Sequence, residues 1–437
     1  MRLHARIPGW TRRWAGDTGL LLVSQAQVTI VTTLLAVVLA RSLGPAEWGI
    51  FSTILNLSQG ASLFVDIGLN NYLLREVSRV WARDDDTPRR ELAMESARIM
   101  RLCLPVNLFL GSILVVAFGA GALALGLSLT LSGLVSALMA YVVLIALAAG
   151  LETTLRAQRR TGLILGGVLL DKVVLLAGVG VTLYADLGFV GLSVSHVLAG
   201  LCHVAFAYSF TLMRLPKPSE RPPVRESLAM VRLSFPFAFN MAALNFIPRF
   251  DLTVVAAFST VAASYYAIGE RVLFAIIIVP TVAGMALYPF LAREKSATRS
   301  AMRVATIMAL AGAAFAAAGA ALAPILLPAL FGSRYEESIR ITQIMLIALP
   351  FMFASNALIP GLYTSGRERR LFAVTAPAAV LGTVGVLIGQ MLFGVAGAAA
   401  AFVARQVLYA GVLLALSTSQ RLSTGGKSPV PNPANST

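Results

Sequence analysis

Long apolar runs recur along the whole chain, separated by short stretches where charged residues, prolines and glycines collect. A helix needs roughly 20 mostly apolar residues to cross a bilayer. Twelve runs meet that requirement, at 18–41, 48–74, 99–121, 128–155, 162–184, 188–213, 233–257, 262–291, 303–328, 338–364, 371–390 and 395–418. Several exceed the hydrocarbon thickness, which predicts tilt or extension into the interface. The pattern predicts an all-α, polytopic integral membrane protein of about twelve transmembrane helices. The first run follows Arg2, Arg6, Arg12 and Arg13, as in a signal peptide. It is too long for a signal-peptide core and more spans follow it, so it reads as an uncleaved first span.

Composition narrows the class. Of 437 residues, 57% are hydrophobic and 13% charged, against about 25% charged in soluble domains. Mean hydropathy is +0.80. A soluble enzyme, a disordered chain and a disulfide-built secreted module are excluded. Cys103 and Cys202 give no disulfide framework, and His4, His196 and His203 form no ligand motif, so no metal or cofactor is expected.

The formal net charge of +15 could suit nucleic acid, but the placement of the bases argues otherwise. With the N-terminus inside, 28 of the 35 Lys and Arg residues fall in inner segments. Only Arg41 and Arg334 fall outside, and Lys172, Arg249, Arg271, Arg340 and Arg405 fall within spans. Basic loops face the cytoplasm. The bias predicts both termini inside and removes most of the case for nucleic-acid binding.

The inner segment 214–232 holds Pro216, Pro218, Pro222 and Pro223 and divides the spans six and six. The expected organisation is a six-helix unit over 1–215, a cytoplasmic linker over 216–232, a second six-helix unit over 233–420, and a disordered tail over 421–437. A weak internal repeat supports the halves. Leu43–Gly49 and Phe258–Tyr266 each place small residues, then an aromatic, at an outer turn. Parallel repeats of this kind are a common transporter plan.

Candidate chemistry lies inside the spans. Ser52, Asn56, Gln59, Ser62, Asp66 and Asn70 recur at helical spacing on one face of the second run. A polar face there must meet protein or water, and Asp66 at mid-span favours a wetted cavity wall. Asp171, Lys172, Arg249, Asp251, Glu270, Arg271, Arg340 and Arg405 are further intramembrane ions. Each either pairs with another helix or faces a lumen. Arg405 has no acid in its own span, so it either meets Asp66, Asp171 or Asp251 or faces the lumen. Guanidinium groups bind phosphate oxygens through a planar fork. Pro248 predicts an irregularity beside Arg249 and Asp251, which point to nearly opposite helix faces. The sequence contains no P-loop, no zinc-binding His/Glu motif and no Gly-x-Ser-x-Gly elbow.

The stretch Leu39-Ala40-Arg41-Ser42-Leu43-Gly44-Pro45-Ala46-Glu47-Trp48-Gly49-Ile50-Phe51 resembles the opening of polysaccharide flippases of the multidrug/oligosaccharidyl-lipid/polysaccharide exporter superfamily. Asp66-Ile67-Gly68-Leu69, Arg75-Glu76, Asp251, Tyr265-Tyr266-Ala267, Arg271, Pro280 and Pro289 extend the similarity. The resemblance implies a V-shaped bundle of two six-helix lobes in the bacterial cytoplasmic membrane. It implies a non-enzymatic flippase that moves a polyprenyl-pyrophosphate-linked oligosaccharide from the inner to the outer leaflet, for polysaccharides such as O-antigen or exopolysaccharide. Arg41, Arg249, Arg271 and Arg405 would contact the head group. A polysaccharide polymerase and a chain-length regulator are implied neighbours. Competing readings are a cation-coupled multidrug exporter using Asp66 or Asp251, a peptidoglycan lipid-precursor flippase, and a membrane glycosyltransferase or polymerase. Twelve spans disfavour the precursor flippase, and short outer loops disfavour the transferase.

Overall fold

The structure, a computed structural model, describes residues 9–66, 69–81, 89–158, 160–216, 247–293, 297–364 and 368–423. These residues form α1 (Gly9–Asp66), α2 (Leu69–Trp81), α3 (Arg89–Ala124), α4 (Leu129–Ala157), α5 (Thr161–Tyr184) and α6 (Gly188–Phe210). After the 3-10 turn Ile247–Arg249 come α7 (Phe250–Phe258), α8 (Thr260–Arg293), α9 (Ala297–Phe331), α10 (Glu337–Leu346), α11 (Leu349–Thr364) and α12 (Glu368–Ser423). There is no strand among the described residues. The protein is an all-α, multi-pass membrane protein: nine of its described helical stretches are long and apolar enough to cross a bilayer.

Nine stretches and twelve expected runs agree once the hairpins are resolved. Helix α1 has 58 residues, which would span about 87 Å if straight, nearly three times a hydrocarbon core. It breaks at Gly44, whose φ of 78° and ψ of 173° suit a residue without a Cβ. Its two arms fold back, so that Val28 and Gln59 line one cavity. Helix α12 turns in the same way at Gly394, with φ 63°. There Gly389 and Gly397 cross at backbone contact, and the Arg405 side chain lies over Gly382. Each hairpin holds two expected spans. The remaining one, 233–257, is described only from Ile247 onward. Most of the proline-rich linker, and the tail beyond Ser423, lie outside the described residues.

The second run is described as far as Asp66 in α1 and again from Leu69 in the amphipathic helix α2. Helix α2 buries Leu69, Tyr72, Leu73, Val77 and Val80 against α3 and α4, a three- and four-residue spacing that marks one helical face. The side chain of Asp66 lies outside the described residues. The run 338–364 divides into α10 and α11.

Helices α3 to α6 pack around α4, and α8 to α12 pack around α11. Helix α1 makes the principal contacts between these groups, against α7, α8 and α9. Its Leu39, Trp48 and Phe51 share one buried cluster with Leu138 of α4, Leu175 of α5 and Phe331 of α9.

The groups meet most tightly around the two repeated turns. A Cβ on Gly49 would fall 1.8 Å from the carbonyl oxygen of Thr260. The Tyr335 hydroxyl donates to the Ala40 carbonyl at 2.7 Å. Arg41 donates Nε to the Leu330 carbonyl at 2.6 Å and Nη2 to that of Ala329, capping the electronegative C-terminus of α9.

This closure gives a test. Gly49→Val cannot fit without moving α1 away from α8. In a background lacking Cys103 and Cys202, Ala40→Cys is expected to resist an impermeant maleimide, because Ala40 is fully buried. Adding Gly49→Val should raise its labelling rate at least about tenfold, the effect of a shift of roughly 1.4 kcal/mol in the opening equilibrium. An unchanged rate would mean that this contact does not hold the end shut.

Candidate functional site

Between the two groups of helices lies a cavity of about 530 Å³. Its walls come from both arms of α1, from α2, α4, α5 and α6, and from the start of the C-terminal group. One side is apolar and aromatic, with Leu39, Trp48, Phe51 and Tyr141; Thr32, Gln59, Ser62 and Asn70 supply neutral polar groups. Lys172, Arg249 and Arg271 are its charged lining residues. No carboxylate lines it among the described residues.

The 3-10 turn before α7 carries Arg249 toward α1. Its Nη1 donates to Asn56 Oδ1 at 2.9 Å and to Gln59 Oε1 at 3.1 Å. Asn56 in turn donates Nδ2 to Glu270 Oε2 at 3.1 Å. The amide is thereby oriented, with its oxygen on the guanidinium and its nitrogen on the carboxylate. Three residues of the polar stripe, Ser52, Asn56 and Gln59, also line a small void of about 20 Å³ shared with Glu270 and Arg271. Stripe and cations thus form one connection between the two groups of helices.

The cations differ in how they are neutralised. Lys172 Nζ sits 2.7 Å from Asp171 Oδ2 and donates to the Tyr141 hydroxyl at 3.1 Å. Tyr141 donates to the same carboxylate at 3.3 Å, and His196 meets the Tyr141 ring edge-on at 5.2 Å between centroids. Arg249 is bonded to neutral amides and lies 5.6 Å from the Phe274 ring centroid. Arg271 forms no hydrogen bond or ion pair with any described residue, yet lines both spaces. Two guanidinium groups thus stand in a partly enclosed, weakly screened space, with Glu270 as the adjoining acid.

Residues 15–295 match the profile of the polysaccharide biosynthesis protein family. The chain belongs to that family. No match is found among curated proteins. Among solved structures, the chain is similar to an inward-facing multidrug resistance MATE family transporter of the MOP superfamily. The two are 16% identical, with 92% of this chain and 100% of that one covered and a TM-score of 0.64. The Vibrio cholerae MATE transporter VcmN in its bent form is 14% identical, with 94% and 97% covered and a TM-score of 0.60. An outward-facing MATE transporter of the MOP superfamily is 16% identical, with 92% and 95% covered and a TM-score of 0.61. This member of the polysaccharide biosynthesis family therefore has the MATE fold of the MOP superfamily.

The other residues singled out in the family member's sequence stand elsewhere. Asp251 and Arg405 face each other inside the C-terminal group, Arg405 Nη2 lying 2.6 Å from Asp251 Oδ2. Thr383 donates to the same carboxylate at 2.9 Å. Neither residue lines the cavity. Arg249, last in the 3-10 turn, and Asp251, in the first turn of α7, point to different sides, one to the cavity and the other to Arg405. Arg41 lies at the closed end of the bundle. Arg340 is exposed on the first turn of α10 and does not line the cavity.

One pair was missed. Glu152 of α4 accepts from, or shares a proton with, His203 of α6, Nε2 to Oε1 being 2.9 Å, and both side chains are buried. Glu152 falls inside an apolar run, which was the available signal. Glu152→Ala is expected to cost about 1–3 kcal/mol, the penalty of leaving a buried partner unsatisfied. His203→Ala should cost a similar amount, and the double variant less than the sum. Melting of the purified protein in detergent would show this; strict additivity would mean that the two do not interact.

Proposed function

We propose that the protein is a transporter that flips a polyprenyl-pyrophosphate-linked oligosaccharide across the bacterial cytoplasmic membrane by alternating access. The supporting observation is the cavity with Arg249 and Arg271 on its wall and neutral polar groups around them. A pyrophosphate carries the charge those guanidinium groups lack, and Gln59, Ser62 and Asn70 suit sugar hydroxyls. Membership of the polysaccharide biosynthesis family agrees with that cargo. No bond is made or broken; the protein's work is binding and reorientation.

The charge bias of the loops puts the end holding Arg41, Gly49, Thr260 and Tyr335 outside and both termini in the cytoplasm. The conformation described is then one sealed toward the outside. Opening requires Arg41 to leave the α9 carbonyls and Gly49 to part from Thr260. A polymerase and a chain-length regulator would act on the delivered cargo at the outer face.

A second reading is cation-coupled drug export. The multidrug resistance MATE transporters of the same fold, and the buried Glu270 beside the cavity, favour it.

Proteoliposomes distinguish the two. Exchange of a labelled polyprenyl-pyrophosphate oligosaccharide between leaflets, read by an impermeant sugar-modifying enzyme, should be faster with the protein than without it. No exchange with several such cargoes under an imposed proton or sodium gradient, together with efflux of cationic dyes, would replace the flippase reading with the exporter.

A further inference from the structure

A second cavity, of about 570 Å³, lies wholly within the C-terminal group and shares no lining residue with the central one. Helix α11 forms its floor, with Phe351, Ala354 and Leu358. Helix α9 forms one wall and the second arm of α12 the other. Both walls pack on α11 but scarcely on each other, which leaves a groove open to the surroundings. Small residues keep it open: Ala305 and Ala309 on α9, and Ala410 and Gly411 on α12. A Cβ built on Gly411 meets nothing within 4 Å.

The lining is apolar apart from Arg303 and Thr306, which stand on successive turns of α9 and are both exposed. Thr306 satisfies its hydroxyl on the Met302 carbonyl. Arg303 forms no hydrogen bond or ion pair with any described residue. It stands six residues from the start of α9, about 9 Å along the axis, a depth from which an arginine reaches the head-group layer. An apolar trough that ends in a guanidinium with no acid partner among the described residues matches one amphiphile, a lipid with a phosphate at its head and a hydrocarbon chain.

We propose that this groove is a binding site for an anionic glycerophospholipid of the surrounding bilayer, with the phosphate on Arg303 and an acyl chain between α9 and α12. A membrane phospholipid is the fitting occupant because the groove has its own cation and is separate from the cavity that holds Arg249 and Arg271. The cargo's pyrophosphate, seated there, could not also engage Arg303. The site rests on the chain being embedded in a membrane and not on which cargo it moves.

Native mass spectrometry of the purified full-length protein, released from mixed phosphatidylglycerol and phosphatidylcholine nanodiscs, tests this. Wild type should retain phosphatidylglycerol in preference. Arg303→Gln should lower that preference about tenfold, because a neutral side chain no longer favours a net-anionic head group over one whose phosphate is balanced by choline. Gly411→Leu starts where an added Cβ meets nothing within 4 Å, so it should fold normally, extend into the groove and displace both lipids. Arg156→Gln, an exposed base elsewhere on the protein, should behave as wild type. Wild-type retention in both groove variants would overturn the proposal. So would an equal loss in Arg156→Gln, which would assign the preference to overall charge.

Discussion

Changing Arg249 and Arg271 together to glutamine is expected to slow leaflet exchange of the proposed cargo by a hundredfold or more, with the protein still inserted and folded. A hydrogen bond to a charged group contributes about 1.5–3 kcal/mol. Removing two guanidinium–phosphate hydrogen bonds at once therefore costs about 3–6 kcal/mol, roughly 10² to 10⁴ in binding. Folding should survive, since neither guanidinium is held in a close ion pair: Arg249 bonds to the amides of Asn56 and Gln59, and Arg271 lies open to the cavity. Arg340→Gln is the matched control, being exposed and away from the cavity. The measurement is initial exchange rate per inserted protein. A double variant with the wild-type rate would remove the cavity cations from the transport path.

Arg405→Ala is expected to act on stability instead. Its guanidinium and the Asp251 carboxylate have side chains 5% and 0% exposed, and its stem fills the space over Gly382. Removing one partner of a buried pair leaves the other charge uncompensated, at a cost of about 3–5 kcal/mol. Asp251→Ala should be similarly damaging. Replacing both at once, with Asp251→Leu and Arg405→Met, should recover much of the loss, because two apolar groups leave no stranded ion. Thermal melting and the yield of monodisperse protein would report this. Undiminished melting of Arg405→Ala, combined with lost transport, would return Arg405 to the cargo path.

These two results separate charges that look alike along the chain. Arg249, Arg271 and Arg405 are all bases within apolar runs, and spacing gives no means of ranking them. Arg405 finds its acid 154 residues away in sequence. Arg271 makes no close ion pair among the described residues, although Glu270 precedes it directly and acts on it electrostatically, because neighbours on a helix point in different directions. The Asp171–Lys172 pair shows the converse: the two meet directly, and both bond the Tyr141 hydroxyl of another helix. The polar stripe was legible from Ser52 to Ser62, where one helix carries it. Asn70, on α2, lines the same cavity.

The sequence by itself determined that the chain is helical and crosses the membrane many times, because every backbone polar group in hydrocarbon must be satisfied within its own segment. Run length and composition record that requirement locally. It also determined the polar face of α1 and the prolyl irregularity beside Arg249, since helical period and the prolyl ring act over a few residues. Only the tertiary structure decided which ions neutralise one another, which line the cavity, and how the Gly49 and Thr260 turns close one end. The reason is physical. A buried charge is stabilised by whatever lies within a few ångströms of it, and in this bundle those neighbours come from helices far apart in the chain.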